Sequence, residues 1–476
     1  MKSNYIAGEW VAGSSVRENI NPSDVSDVVG HYAQADAKQA QLAVEAAVDA
    51  FQAWSVSGVQ ARSDALEAVA SEVLARRAEL GELLAREEGK TLPEAQAEVA
   101  RAGQIFRFFA GEALRQGGEK APSVRPGIEV EITREPVGVV GLITPWNFPV
   151  AIPAWKIAPA LAHGNCVVFK PAELVPGSAW ALAEIISRAG FPAGVFNLVM
   201  GPGSEVGQAL INHPSVDALS FTGSTGTGAR VIAGAAPRRA KLQLEMGGKN
   251  PLVVLDDADL AVAVECAVQG SYYSTGQRCT ASSRLIVQKG ILPRFVAALR
   301  ERVEALVVDD ARKPGTQIGP VVDQSQLDVD LEYIAIGQQE GARLLCGGQR
   351  VQRATEGFFL QPALFVDASP EMRIAREEIF GPVACVIAAD DYEHALTLAN
   401  DTPFGLTAGL CTTSLRHASH FKRHAKAGMV MVNVPTAGVD YHVPFGGRKA
   451  SSYGPREQGR HANEFFTTVK TAYTAP

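Results

Sequence analysis

From Pro136 onward the chain changes texture, and this change restricts the folds open to it more than any other feature. Short apolar runs (137–144, Cys166–Lys170, 195–200, Ala218–Thr222 and 242–245) alternate with amphipathic stretches near 150–162, 178–189, 204–212 and 226–235. Strands alternating with helices of this length predict βαβ units and a doubly wound parallel sheet, an α/β fold. No GxGxxG follows any of these strands, so the standard dinucleotide fingerprint is absent. A second α/β region is expected from Asn250 to Gly447, with strands at 251–255, 283–287 and Met429–Val432. Upstream, a short extended start leads into helical stripes over Ala37–Trp54, 61–88 and 93–115, the last opening on a first-turn Pro. A polar ribbon, 124–135, and a tail, 464–473, read as strands.

The rest of the composition excludes function classes. The net charge of −7 is spread over 476 residues without a block of like charge, which argues against a nucleic-acid or membrane surface. No stretch of about 18 uncharged apolar residues occurs, and Met1-Lys2-Ser3-Asn4-Tyr5 has no apolar leader, so a cytoplasmic location is expected. The six cysteines, Cys166, Cys266, Cys279, Cys346, Cys385 and Cys411, form no CxxC pair, and only Cys166 has a nearby His, His163. Neither a metal site nor a disulfide framework is expected.

Cys279 stands apart because it lies in a polar stretch, Gly276-Gln277-Arg278-Cys279-Thr280, where the others sit in apolar runs or without such neighbours. Glu245 ends an apolar strand and opens Glu245-Met246-Gly247-Gly248-Lys249; Asn147 sits in Pro145-Trp146-Asn147-Phe148-Pro149. A thiol, a carboxylate base and an amide donor are the parts needed to capture an aldehyde as a thiohemiacetal and later release an acid. Taken singly, Glu245 reads equally well as a solvated strand end, and Asn147 as the cap of a helix starting near Pro149. A thiol hydrolase without a cofactor would need a His partner for Cys279, and the nine His residues form no such motif.

Together these motifs make the chain resemble the NAD(P)-dependent aldehyde dehydrogenases over nearly its whole length. The resemblance implies a Rossmann-like cofactor domain (1–119 and 137–247), a catalytic domain (248–447), and a small β arm and tail (120–136 and 460–476) for homodimers or homotetramers. It implies Cys279 as nucleophile, Asn147 with the Cys279 N–H as oxyanion donors, and Glu245 as the base for thioester hydrolysis, giving a free acid. For the cofactor it implies Thr144, Pro145, Trp146, Lys170, Ala172, Glu173, Gly203, Gly207, Phe221, Gly223, Ser224, Gly247, Glu378 and Phe380. Glu173 on the adenosine ribose would repel a 2′-phosphate, so NAD is expected ahead of NADP. In Pro444–Gly454, Ser452 stands where the family usually has Gly, a departure expected to touch no catalytic role.

The substrate is less legible. Phe148, Ile152 and Trp155 fall at helical spacing and either wall a tunnel or pack in the core; Arg278, Thr280 and Phe445 are further candidates, and 433–443 would close the mouth. The stretches Gly111–Arg115 and Gly454–Gly459 resemble those of α-ketoglutaric semialdehyde (2,5-dioxovalerate) dehydrogenases, which implies that substrate and 2-oxoglutarate as product. Succinic or glutaric semialdehyde, or an aromatic or aliphatic aldehyde, stays open. A carboxylate tail calls for an Arg, with Arg107, Arg115 and Arg278 as candidates.

Overall fold

In the computed structural model, which describes residues 1–475, the run Cys166–Lys170 is a strand with every side chain buried. A strand covered on both faces needs helices on both sides of its sheet. That sheet has eight strands, in spatial order Ser452–Tyr453, Lys241–Glu245, Ala218–Thr222, Val139–Ile143, Cys166–Lys170, Phe196–Leu198, Asn4–Ile6 and Glu9–Val11. From Lys241–Glu245 to Phe196–Leu198 all neighbours are parallel. The flanking strands are antiparallel. The chain enters the parallel block at Val139–Ile143, winds outward to Phe196–Leu198, then returns to build the other side. That reversal leaves a crevice at the carboxyl ends of Val139–Ile143 and Ala218–Thr222, where open α/β sheets take ligands.

The second sheet has seven strands, in the order Arg343–Cys346, Ala363–Val366, Val383–Ala389, Arg284–Gln288, Pro251–Val254, Thr407–Cys411 and Met429–Val432. All its pairs are parallel except the one made by Arg343–Cys346. Its chain likewise enters at a central strand, Pro251–Val254, and fills both sides in turn. The α/β class and the two separate sheets are as expected.

Several elements differ from the sequence reading. The extended start runs to Gln34 and includes a hairpin of Ser15–Asn21 and Asp24–Gln34. The stripe expected at 61–88 is two helices, Val59–Ala75 and Arg77–Glu88, broken at Arg76 (φ −94°, ψ 15°). Arg76 ties Glu72 and Glu79 from either side of the break to Glu184. The segment near 204–212 opens with a π turn, Gly203–Gly207, before a short helix, Gln208–Asn212.

The ribbon is a hairpin of Glu119–Pro122 and Glu129–Pro136. The tail begins as a helical turn, Asn463–Phe466, and continues as the strand Thr467–Thr474. That strand pairs antiparallel with Glu129–Pro136 of the same chain, from Thr467 opposite Pro136 to Thr474 opposite Glu129. Pro476, which ends the predicted tail, lies outside the described residues. Among those residues, no helix is long and apolar enough to cross a membrane.

Candidate active site

The helix Leu260–Tyr272 ends in a turn whose backbone is held against its preference. Ser274, Thr275 and Gly276 all have positive φ (51°, 57° and 68°), and the first two carry a Cβ. Such residues cost of order 1–3 kcal/mol each and persist only where their surroundings fix them. Here the surroundings do so. Glu94 Oε1 accepts from the Ser274 N–H (2.9 Å) and hydroxyl (3.0 Å), and the Thr275 hydroxyl donates to Gly319 O at 3.1 Å. Arg278 donates to Glu94 (2.9 Å) and to the Ser274 hydroxyl (2.8 Å). Asn250 Nδ2 then donates to the carbonyls of Cys279 (2.7 Å) and Ala281 (2.9 Å). Cys279 therefore leaves a rigid turn and is the partly exposed residue at its end.

Asn147 reaches this turn from the other sheet. It follows the strand Val139–Ile143, is 3% exposed, and its Nδ2 donates to Gln277 O at 2.9 Å. The helix-cap alternative fails, because Ala151–Ala162 starts after Val150 with no side-chain cap of its own. Glu98 takes that part instead, accepting from the Val150 (2.9 Å) and Ala151 (3.1 Å) N–H groups. Buried Lys90 bridges Glu98 and the Asn147 carbonyl, both at 2.6 Å, which fixes the Asn147 backbone.

Glu245 ends the strand Lys241–Glu245 and is 2% exposed. Its cross-strand partner is Ser452, whose hydroxyl donates to Glu245 Oε2 at 2.5 Å. The expectation that this departure touches no catalytic role did not foresee that strand pairing puts the Ser452 side chain on the Glu245 carboxylate. The backbone accepts Ser without strain, since φ is −150°. Burial first, then the charge of Glu457, holds the Glu245 carboxyl well above the usual carboxylate range, and the Ser452 hydroxyl partly offsets this. Glu457 is itself paired with buried Lys156, which also donates to Ser220 at 2.7 Å.

Burial pushes the Cys279 thiol up to about 12, with the carboxylates of Glu378 and Glu245 adding to the shift and the Cys279 and Thr280 N–H groups opposing it. At rest the sulfur is a thiol that has to lose its proton before it can attack.

The crevice of the first sheet fits a dinucleotide in three respects. The hydroxyls of Thr144 and Thr222, at the ends of the two strands that flank it, are buried without a partner. The helix Thr225–Ala235 presents its first turn there; Ser224 caps it through the Thr227 N–H (3.3 Å), and a Cβ on Gly226 would meet only open space. Unused N–H groups at such a turn suit a phosphate. Lys170, burial lowering it to about 8, closes the next strand, and a Cβ on Gly207 would touch only its side chain, at 3.8 Å. Glu173, two residues past Pro171 and beside partly exposed Ala172, accepts from Arg17 (2.8 Å) and the Gly203 N–H (3.0 Å).

Across the crevice Glu378 accepts from the Gly248 N–H at 2.8 Å, and burial lifts its carboxyl to about 7. A Cβ on Gly247 would lie 1.9 Å from that carboxylate, so only Gly allows the approach. Phe380, in a left-handed conformation (φ 66°), sets its ring edge-on to Trp146, 5.4 Å between centroids, beside half-buried Pro145. Phe221 is instead a core residue, packed against Gly223.

On the far side of Cys279 lies a cavity of about 340 Å³ whose lining includes Phe148, Ile152, Trp155, Arg278, Thr280 and Phe445. The tunnel alternative thus holds for these side chains, with Trp155 stacked on Phe445 at 5.2 Å. Pro435 and Ala437 to Val439 supply the mouth, and Tyr441 anchors that loop edge-on to Phe108. Arg107 and Arg115 are corrected: both are exposed, paired with Glu67 and Glu112, and neither lines the cavity. Arg278 lines it but is bound to Glu94. The sequence reading missed Arg101, which lines the cavity too; its spacing from Glu94 and Glu98 on one helical face was the available signal. It also missed Asn250, which nothing but the loop geometry identifies.

A model of the aldehyde dehydrogenase family matches residues 10–472. The α-ketoglutaric semialdehyde dehydrogenase of Bacillus subtilis is 46% identical over 478 residues, spanning 99% of this chain and 98% of its own. Among solved structures, betaine aldehyde dehydrogenase from Staphylococcus aureus in complex with NAD+ superposes with a TM-score of 0.97 at 36% identity, covering 100% of this chain and 95% of that one. An NADP-dependent enzyme of E. coli matches with the same TM-score of 0.97 at 35% identity, covering 100% of this chain and 98% of that one.

Proposed function

The chain belongs to the aldehyde dehydrogenase family, and on that premise we propose that it oxidises α-ketoglutaric semialdehyde to 2-oxoglutarate, with NAD ahead of NADP. The observation that carries the chemistry is the Asn147 side-chain amide bonded to Gln277 O in the turn that ends at Cys279, which itself lines the cavity. One amide hydrogen of Asn147 is engaged there, which leaves the other for an oxygen on a carbon bonded to Cys279. The relative's substrate and a cavity small enough for a short oxo acid support the choice of aldehyde.

In this reading the Cys279 thiol gives its proton to water in the cavity, the thiolate sulfur bonds to the carbonyl carbon as the C=O π pair moves to oxygen, and Asn147 with the Cys279 N–H holds the resulting oxyanion. A nicotinamide dinucleotide in the crevice would supply the hydride acceptor, with Trp146 and Phe380 as the side chains that would flank its ring. Lys170, Glu173, Ser224 and Glu378 would hold the rest of the dinucleotide and the Thr144 hydroxyl would face it, while Gly203 and Gly207 leave room for it and Gly223 and Gly247 admit the close approach of Phe221 and Glu378. With that acceptor in place, the oxyanion held by Asn147 and the Cys279 N–H would collapse to a carbonyl as the carbon gives up its hydride, leaving the acyl group on Cys279 as a thioester. Glu245, whose raised pKa makes it a stronger base once ionised, then takes a proton from the attacking water. Cleavage of the carbon–sulfur bond frees the acid and regenerates the thiol. Among the described residues no His lines the cavity, which disfavours a thiol hydrolase.

The dinucleotide is assigned to 1–119 and 137–247, the nucleophile to 248–447, and self-assembly to 120–136 and 460–476. Exposed Val469 and Tyr473 on the tail strand give a second copy apolar ground to pair against. NAD is preferred because the Glu173 carboxylate opposes a 2′-phosphate; its ion pair with Arg17 softens that preference.

A panel of aldehydes assayed with both cofactors tests the reading. NADH is expected to form fastest with α-ketoglutaric semialdehyde and to fall by about 10⁴-fold or more in Cys279→Ala. If hexanal or benzaldehyde is used as well as the semialdehyde, the substrate assignment fails. Full turnover by Cys279→Ala would overturn the mechanism.

A further inference from the structure

We propose that Arg101 recognises the far carboxylate of the substrate and so sets the preference for short oxo acids over neutral aldehydes. The inference rests on reading the cavity beside Cys279 as the aldehyde site. Glu94, Ala97, Glu98 and Arg101 of the helix Leu92–Ala113 all line that cavity, as their helical spacing requires.

The charges there are not equivalent. Glu94 is taken up by Ser274 and Arg278. Glu98 is taken up by Lys90 and the N–H groups of Val150 and Ala151. Lys90 is neutralised in turn by Glu98, and Arg278 by Glu94. Arg101 is the exception: among the described residues its polar partner is the Gln458 amide oxygen, at 3.0 Å from Nη2, while its Nε is buried with no acceptor. Its guanidinium lies 5.8 Å from the centroid of Trp155, which is part of the same wall. Gln458 is fully buried, is held at a left-handed φ of 58°, and has an unpartnered Nε2 of its own.

A largely desolvated cation without a directly bonded counter-ion is costly. Arg101 is partly exposed as a residue, but its Nε is buried, and desolvation lowers its pKa with only partial opposition from the charges of Glu98 and Asp440. A carboxylate arriving in the cavity supplies what is missing: acceptors for Nε and for the open side of the planar fork, in the two-bond geometry that guanidinium and carboxylate share. A neutral aldehyde supplies none. Arg278 does not compete for this part, because an incoming carboxylate would have to displace Glu94 and release the strained turn that carries Cys279.

The test assays wild type, Arg101→Met and Arg101→Lys with NAD on α-ketoglutaric semialdehyde and on pentanal, and adds glutarate as inhibitor of pentanal oxidation. Arg101→Met is expected to lower kcat/KM for the semialdehyde about 30- to 1000-fold, mostly through KM. Pentanal turnover should fall far less than turnover of the semialdehyde, glutarate inhibition should disappear, and Arg101→Lys should restore part of the semialdehyde activity and of the inhibition. An equal loss on both aldehydes, meaning a purely structural role, overturns the proposal, as does retention of the semialdehyde preference by Arg101→Met. If wild type shows no such preference, the proposal that Arg101 sets it is overturned together with the named substrate, even where glutarate inhibits through Arg101.

Discussion

Both sheets are entered at a central strand and filled on one side before the other, yet they meet the active site with opposite edges. The first sheet contributes from its carboxyl edge: Thr144 to Asn147 follow Val139–Ile143, Lys170 closes its strand, and Glu245 closes Lys241–Glu245. The second contributes from its amino edge. Gly248 to Asn250 precede Pro251–Val254, Cys279 precedes Arg284–Gln288, and Glu378 and Phe380 precede Val383–Ala389. At the carboxyl edge of the second sheet, where the usual rule would put a ligand, the polar groups are already satisfied. Asp256 accepts from the Ile291 N–H at 2.8 Å, and Asp257 takes the Thr412 hydroxyl at 2.8 Å. Winding order therefore does not say which end of a sheet works; the unsatisfied groups do.

The sharpest way to break this comparison is at the carboxyl edge of the first sheet. Glu245→Gln should lower steady-state turnover by about 10²- to 10⁴-fold while a rapid first burst of NADH survives, because only the hydrolytic half loses its base. Loss of the burst in stopped-flow traces would give Glu245 a part in the first half as well. At the amino edge of the second sheet, Asn250→Ala leaves the carbonyls of Cys279 and Ala281 and the Thr407 N–H without their partner. It should cost about 2–4 kcal/mol of stability and about 10- to 100-fold in kcat, read by denaturant titration and by kinetics. An unchanged kcat would mean that the strained turn holds Cys279 unaided.

The smallest effect is expected on the edge strand that joins the sheet to the site. The Ser452 hydroxyl donates to the Glu245 carboxylate and favours its ionised form. Ser452→Gly should raise the Glu245 pKa further. Since the base must be ionised, the acid limb of the kcat–pH profile should move to higher pH, with a change of only a few-fold at the optimum. A limb that stays put would show that another group sets it.

Much of the fold was legible because burial on both faces leaves a local trace. Cys166–Lys170 and Ala218–Thr222 are short, largely apolar runs closed by a polar residue, and the structure begins and ends both strands where the sequence does. The break at Arg76 was not legible, since both helices carry the same apolar stripe and the cause is a set of carboxylates that includes distant Glu184. Neither was the N-terminal hairpin, whose first strand is largely exposed and has no apolar alternation to announce it. In the site, Cys279, Glu245 and Asn147 stood out because reactive residue types sat in glycine- and proline-marked loops. Arg107 and Arg115 were candidates while Arg101 was missed, because the sequence does not say which guanidinium finds a carboxylate, as Arg107 does in Glu67 of another helix and Arg115 in Glu112 just before it in the chain.

The order of residues by itself determined which segments become buried strands and which side chains are chemically able to attack, steady or deprotonate, since these follow from composition over a few neighbours. Tertiary structure alone decided that two sheets would present opposite ends to one cleft, that Ser452 would lie across from Glu245, and that one arginine of several would stay without a counter-charge. The reason is that pairing and desolvation depend on groups far apart along the chain, and only packing brings them within hydrogen-bonding reach.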